Sequence, residues 1–374
     1  MKQLKSALLT LLTLILGLVF AAGAAAQIRI GQTAGFTGPA APGVKEISDG
    51  AKLWLDAVNA RGGVNGQTIE LVALDDKFDT KMAAANAAKL AADSSIVALF
   101  LTRGTPHTQA ILPVLSKERI PLVGPSTGAM ALHDPVHPWV FNVRATYQRE
   151  AERAVQHLVT VGMDRIAVVQ VDDTFGADCM AGAEKGFKAV DKKPLVHLKY
   201  DRVKPDFSAI APQLAQLQPQ AVLLFATGST AAEGIVAMRK AGVRGQFVTL
   251  SNNASSGFVK LLGEHARGTI ITQVFPFERS PKVPFVKEAQ ELAAAAKVAA
   301  LTPAMLEGYA AAKVLTEGLK RAGANPTRDK LRQALDSMNK VDIGGLEVSF
   351  SPGDHTGLTY VDLSIIGSDG RFVR

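Results

Sequence analysis

Short apolar runs alternate with longer alanine-rich amphipathic stretches through most of this chain. The runs IRIGQT from residue 28, IELVAL from 69, IVALFL from 96, IPLV from 120, IAVVQV from 166, AVLLFA from 221, FVTLS from 247 and TIITQV from 269 are apolar on consecutive positions. That pattern suits strands covered on both faces, as in a parallel sheet, whereas half-exposed strands alternate. Helical segments fill the gaps, and Gly162 and Gly242 follow two of them where a helix C-cap belongs. Strand, helix and strand repeated this often predict right-handed crossovers and doubly wound α/β sheets. The pattern occurs once before about residue 143 and again after it, which predicts two similar lobes.

The first 26 residues stand outside this pattern. Lys2 and Lys5 precede a largely apolar run from Ala7 to Phe20, and Ala24-Ala25-Ala26 then leads to Gln27. These are the parts of a cleavable secretory signal peptide over residues 1–26. No cysteine follows the cleavage point to accept a lipid, so an exported, unanchored chain beginning at Gln27 is expected. The formal net charge is +7, spread along the sequence, and its densest basic stretch, KKPLVHLKYDRVK from 192, lacks interleaved stacking aromatics. A solvated face fits it better than a nucleic-acid platform, and no nucleic-acid partner is expected. Cys179 is the single cysteine, which excludes an internal disulfide and reads as a small buried residue.

In open parallel sheets ligands bind beyond the carboxyl ends of the strands. The turns there are AGFTGPAAP at 34–42, TRGTPHT at 102–108 and GPSTGA at 124–129. They offer backbone amides and hydroxyls at close range, a means of holding a small carboxylate without chemistry. Asp75-Asp76 closes the second apolar run and invites a metal or acid/base reading. Its position at a strand end, before a helix that Asp79 or Thr80 can cap, fits a structural role instead. His133 and His137 lie in LHDPVHPWVFN, where Pro135 and Pro138 impose an extended turn and spread the two rings, so no metal is expected there. The sequence has no G-x-S-x-G, H-E-x-x-H or phosphate-loop motif, and neither catalysis nor a cofactor is expected.

These turns, together with YQREAE from 147, DDTFGAD from 172, LEGYAAAKVLTEGLKRAG from 306 and GGLEVSFSPGDHTG from 344, resemble a type I periplasmic binding protein. The similarity is to the leucine/isoleucine/valine-binding group of ABC-transporter substrate-binding proteins, and it runs in order over residues 28–374. The resemblance implies two doubly wound parallel-sheet lobes joined by three crossover strands and closing like a flytrap, with crossovers near 142–147, 274–279 and 346–353. Lobe 1 then comprises residues 27–143 and 278–345, and lobe 2 residues 144–277 and 346–374. It also implies periplasmic capture of a small ligand by a monomer, and delivery to an ABC permease and ATPase complex at the inner membrane. A ligand-sensing clamp that regulates a partner is the alternative.

Carried over residue by residue, the resemblance places ligand donors at Gly104, Thr105, Ser126 and Thr127. In the second lobe the family's tyrosine-glycine pair becomes Phe175-Gly176, another tyrosine gives way to Thr227-Gly228-Ser229, and the acidic residue that receives an ammonium has no match in SNNASSG from 251. Phe36, Thr37, Tyr147, Phe175, Thr227, Gly228 and Asn252 complete the expected contacts. Phe36, Tyr147 and Phe175 are rings able to sandwich a planar or apolar carboxylate. An amino acid or an aromatic acid is the expected ligand.

Overall fold

The computed structural model describes residues 27–374, and the expected signal peptide lies outside them. Two parallel-dominated sheets form the cores of two lobes. In the first sheet β1 (Ile28–Ala34), β2 (Ile69–Asp75), β3 (Ile96–Phe100), β4 (Leu122–Val123) and β5 (Val140–Phe141) run parallel in the order β2-β1-β3-β4-β5. The second holds β6 (Ile166–Val171), β7 (Val196–Tyr200), β8 (Ala221–Phe225), β9 (Gln246–Thr249) and β10 (Ile270–Gln273), parallel in the order β10-β9-β8-β6-β7. β11 (Val341–Asp342) and β12 (Glu347–Val348) pair as a separate hairpin. β13 (Asp362–Ile366) and β14 (Phe372–Val373) extend the second sheet antiparallel beyond β10.

β3 and β6 are buried at every position, as consecutive apolar residues demand when helices cover both faces. The helices α1 (Ala41–Ala60), α2 (Thr80–Ala92), α3 (Thr105–Glu118), α4 (Tyr147–Thr160), α5 (Thr174–Ala189), α6 (Ile210–Leu217) and α7 (Gly228–Lys240) follow the strands in turn. After them come α8 (Ser256–Leu262), α9 (Pro284–Ala295), α10 (Pro303–Ala322) and α11 (Arg328–Asp336). Side-chain caps start several of them: the Asp79 carboxylate accepts from the Met82 amide, Thr146 from Arg149, and Asp173 from Phe175 and Gly176. Gly162 closes α4 at φ +84°, with the Met163 amide donating back to the Leu158 carbonyl at 2.9 Å.

The chain crosses between lobes three times. It leaves β5 for α4 through 142–146, and returns after β10, where Val274 and Phe275 pack in the first core. The third crossing lies later than the expected 346–353. Val348, Phe350 and Leu358 still bury themselves in the first core, and the chain joins the second sheet only at Asp362. The reason is the hairpin of β11 and β12, which keeps this segment on lobe 1. The first and third crossings pair with each other, the Asn142 amide donating to His355 at 3.0 Å and the Leu358 amide to Val143 at 3.0 Å.

One close packing decides what reaches the cleft. A side chain on Gly50 would stand 1.9 Å from the Met305 carbonyl, and one on Gly308 1.8 Å from that of Ile47. Glycine at both positions lets α1 and α10 touch backbone to backbone. That contact sets Glu307, on α10, beneath the turn after β4.

Candidate functional site

The carboxyl ends of both sheets face each other, and the lobes are closed. The Ser229 amide of lobe 2 donates to the Pro39 carbonyl of lobe 1 at 3.0 Å, and Thr174 donates to the Gln109 amide oxygen at 2.7 Å. The Glu46 carboxylate accepts from the Ser256 hydroxyl at 2.6 Å and from the amides of Ser256 and Gly257 at 3.0 and 2.9 Å. Gly228 sits where the lobes come nearest, at φ +56° with a Cβ position 1.8 Å from the Pro39 carbonyl, so only glycine fits.

Closure leaves a narrow chamber between the strand ends. Lobe 1 contributes Phe78, Arg103, Gly104 and Thr105; Tyr147, Phe175, Arg202, Thr227 and Asn252 line it from the crossing and lobe 2. It opens past Phe78 and Arg202 into a wider cleft bounded by His107, Tyr200 and Asp201. A separate hollow of about 410 Å³, between Trp54, Arg61, Lys313 and Lys320, lies on the outer face of lobe 1 near the entry to β2. It is remote from the strand ends that converge on the chamber.

Arg103 dominates the first-lobe wall. The turns after β3 and β4 continue the strand pairing as a bridge between Arg103 and Ser126, which sets their side chains together. Arg103 is 3% exposed. It donates to the Ser126 hydroxyl at 2.6 Å and, across the cleft, to the Asn252 carbonyl at 2.6 Å. The Ser126 hydroxyl in turn donates to the Glu307 carboxylate at 2.6 Å. Thr105 and Thr127 share a hydroxyl contact of 2.8 Å. Behind these lies a buried ion pair of Arg144 and Glu150; the Ser251 amide donates to Glu150 at 2.9 Å, Thr272 donates to the same carboxylate, and Glu307 stands 3.8 Å from Arg144.

The aromatic wall joins both lobes. Tyr147 and Phe175 meet edge to face at 5.0 Å between ring centres, and burial pushes the Tyr147 phenol up to about 12, so it is a neutral hydroxyl at pH 7. Arg202 lies 5.4 Å over the Phe78 ring and 6.0 Å over that of Phe175, its charge paired with Asp173. Phe78 also stacks on His107 at 4.1 Å, and burial holds that imidazole down at about 4, uncharged.

Of the expected contacts, Gly104, Thr105, Tyr147, Phe175, Thr227 and Asn252 come together on the chamber wall. Ser126 and Thr127 stand one layer back, their hydroxyls engaged by Arg103, Glu307 and Thr105. Phe36 packs with Ala34, Ala40, Val44 and Phe78 instead of facing the chamber. Thr37 holds Asp75, donating through its hydroxyl at 2.6 Å and its amide at 3.2 Å. Gly228 is bound to Asn253 and pressed against Pro39.

Phe78, Arg103 and Arg202 also line the chamber, beyond the contacts expected from the sequence. Arg103 lies inside TRGTPHT, a turn whose clearer signal is its amides and hydroxyls, and Arg202 inside a basic stretch whose charge density suits a solvated face. The alternation of Val196, Leu198 and Tyr200 with His197 and Lys199 was the available signal that this stretch is an edge strand. Asp75 and Asp76 hold the neighbouring turns, Asp75 through Thr37 and Lys77, Asp76 through Thr33 at 3.1 Å and the Phe78 amide at 2.9 Å. No cluster of potential metal ligands occurs among the described residues.

A family model described as periplasmic binding protein matches residues 27–370. The chain belongs to the periplasmic binding protein family. Its relatives include Leu/Ile/Val-binding protein homolog 3 of Brucella melitensis biotype 1, 26% identical and matched over 88% of this chain and 89% of that one. Among solved structures, a substrate-binding periplasmic protein from Ralstonia solanacearum superposes with a TM-score of 0.86 at 32% identity, covering 93% of this chain and 99% of the other. A possible leucine/isoleucine/valine-binding protein from Rhodopirellula baltica SH 1 gives 0.87 at 26% identity over 95% and 98%. The fold is thus the type I periplasmic binding protein fold, and both fold and relatives are those of substrate-binding proteins, not of enzymes.

Proposed function

We propose that this binding protein captures a small carboxylate by lobe closure in the periplasm and delivers it to the membrane permease of an ABC importer. The observation that carries the reading is Arg103, a buried guanidinium on the wall of a chamber shared by both lobes. It makes no direct ion pair among the described residues, and Thr105 and the Gly104 turn beside it supply further donors. A buried cation without a directly bonded carboxylate is costly, and a ligand anion offsets that cost. The lobes divide the lining between them, so capture requires both and favours the closed state. Export through a signal peptide over residues 1–26, without a lipid anchor, and action as a monomer complete the reading.

The relatives' names favour branched-chain amino acids, the specific form of this proposal to test alongside other acids. The test is a thermal-shift screen of amino acids, hydroxy acids and aromatic acids, followed by small-angle scattering with each compound that stabilises. A ligand at a hundred times its dissociation constant stabilises by about 2.7 kcal/mol, and the radius of gyration is expected to fall on binding. Absence of stabilisation by every carboxylate overturns the proposal.

A further inference from the structure

Asn252 leaves one polar atom of the chamber region unsatisfied. Its side-chain nitrogen donates to the Ala226 carbonyl at 3.0 Å and to the Thr227 hydroxyl at 3.3 Å, which fixes the orientation of the amide. Its backbone carbonyl is taken by Arg103. The side-chain oxygen, Oδ1, is buried and has no partner among the described residues. A buried acceptor left without a donor is unfavourable, and Asn252 lies on the chamber wall, so a ligand that brings a donor beside it would be favoured.

Charge decides what kind of donor. The residues lining the chamber include two guanidinium groups, Arg103 and Arg202, and no carboxylate. The acids of the adjoining cleft and of the layer behind the chamber are engaged: Asp173 by Arg202, Asp172 by Lys199, Asp79 and Asp201 by backbone amides, and Glu307 through the Ser126 hydroxyl. A ligand ammonium would face the Arg103 guanidinium, which has no directly paired carboxylate, with only neutral acceptors to receive it, whereas a hydroxyl satisfies Oδ1 without bringing a charge. Spacing narrows the choice further. Arg103 is bonded to the backbone of the same residue whose side chain carries Oδ1, so the carboxylate and the donor lie close together on the ligand.

We propose that the ligand is a 2-hydroxy carboxylate, its carboxylate on Arg103 and Thr105, its hydroxyl donating to Asn252 Oδ1, and its side chain against Tyr147 and Phe175. This deepens the carboxylate-capture reading and rests on it. Asn252 is then the residue that sets preference for a hydroxy acid over an amino acid.

The experiment is calorimetry on the full mature chain with three matched series. They are lactate, alanine and propanoate; 2-hydroxy-4-methylpentanoate, leucine and 4-methylpentanoate; and 3-phenyllactate, phenylalanine and 3-phenylpropanoate. In the series that binds, the hydroxy acid is expected to bind about tenfold or more tightly than both companions, one decade being about 1.4 kcal/mol. Asn252→Asp is expected to invert the order of hydroxy acid and amino acid, with the melting temperature reporting that the variant is folded. The unmodified protein decides the question even where that variant is not. An amino acid that binds more tightly than its hydroxy acid overturns this inference and leaves carboxylate capture standing. Equal binding of the hydroxy acid and its deoxy companion overturns the role of Oδ1. If none of the nine compounds binds, this inference falls; if the wider carboxylate screen is silent too, carboxylate capture falls with it.

Discussion

Glu150→Gln tests how the first crossing is held. Arg144 is 1% exposed and Glu150 fully buried, and the two form an ion pair where the chain leaves lobe 1 for α4. Burial works against the Glu150 charge and moves its carboxyl above the ordinary range, while Arg144, Thr272 and the Ser251 amide pull the other way. Glutamine keeps the shape and one acceptor but leaves Arg144 without its partner. Removing one member of a buried pair costs about 3 to 5 kcal/mol. Glu307 lies 3.8 Å from the same guanidinium, and at an effective dielectric of about 20 a charge at that range is worth about 4 kcal/mol before desolvation. The retained Glu307 places the expected loss near the lower limit, about 3 kcal/mol, or about 6 to 12 °C in Tm for a lobe of this size.

Urea unfolding followed by both circular dichroism and fluorescence gives the assay. The two tryptophans, Trp54 and Trp139, both pack in lobe 1, so fluorescence reports that lobe and dichroism reports both. Replacing both partners together, Arg144→Met with Glu150→Leu, is expected to recover much of the loss, since no unpaired charge then remains. A loss below about 1 kcal/mol in Glu150→Gln would refute the reasoning, because it would mean that Glu307 alone balances Arg144 or that Glu150 is already neutral at pH 7.

Two further outcomes are expected. Arg103→Met should weaken binding of a carboxylate found in the screen by about ten- to a hundredfold, from the loss of a charge-assisted bond worth about 1.5 to 3 kcal/mol; calorimetry showing unchanged affinity would remove Arg103 from the site. Burial holds the Asp76 carboxyl up at about 6, so the folded protein keeps a proton that the unfolded chain releases near pH 4. The Asp76 contribution to stability therefore declines as pH rises from about 4 to about 6, and Asp76→Asn should remove that slope from a urea series; an unaltered slope contradicts it.

The strands of five or more residues buried on both faces were legible. Ile96–Phe100 and Ile166–Val171 are apolar because helices cover them above and below, and a continuous run announces that. Val196–Tyr200 escaped because it is the edge of its sheet and shows solvent one face, so its charges mask the period of two. The glycine and hydroxyl turns were legible as a binding region because they sit at strand ends. Arg103 was not, for a physical reason: an arginine is exposed by default. Its burial depends on Ser126 and on Glu307, which lies 181 residues further along the chain from Ser126 and is brought there by the glycine contact between α1 and α10. The late third crossing was equally hidden, since only the tertiary docking of the β11 and β12 hairpin keeps Phe350 and Leu358 in the first core.

The contacts that close the lobes differ in kind. Glu46 with Ser256, and Thr174 with Gln109, are exposed at the rim, where water competes and each bond contributes at most about 1 kcal/mol. They guide closure without committing to it. Arg103 is the contact within the chamber, and its bond to the Asn252 carbonyl forms only when the lobes meet. Closing therefore takes a guanidinium out of water and, without a ligand, gives it a carbonyl and a hydroxyl in place of a carboxylate. A ligand shifts the balance between open and closed only by its differential affinity for the two. On the proposed carboxylate reading, the ligand provides that difference at Arg103, whose bond to the Asn252 carbonyl spans the two lobes. On that reading recognition and closure are coupled at Arg103, and an uncharged compound of the same shape is expected to favour the closed lobes less than the carboxylate does.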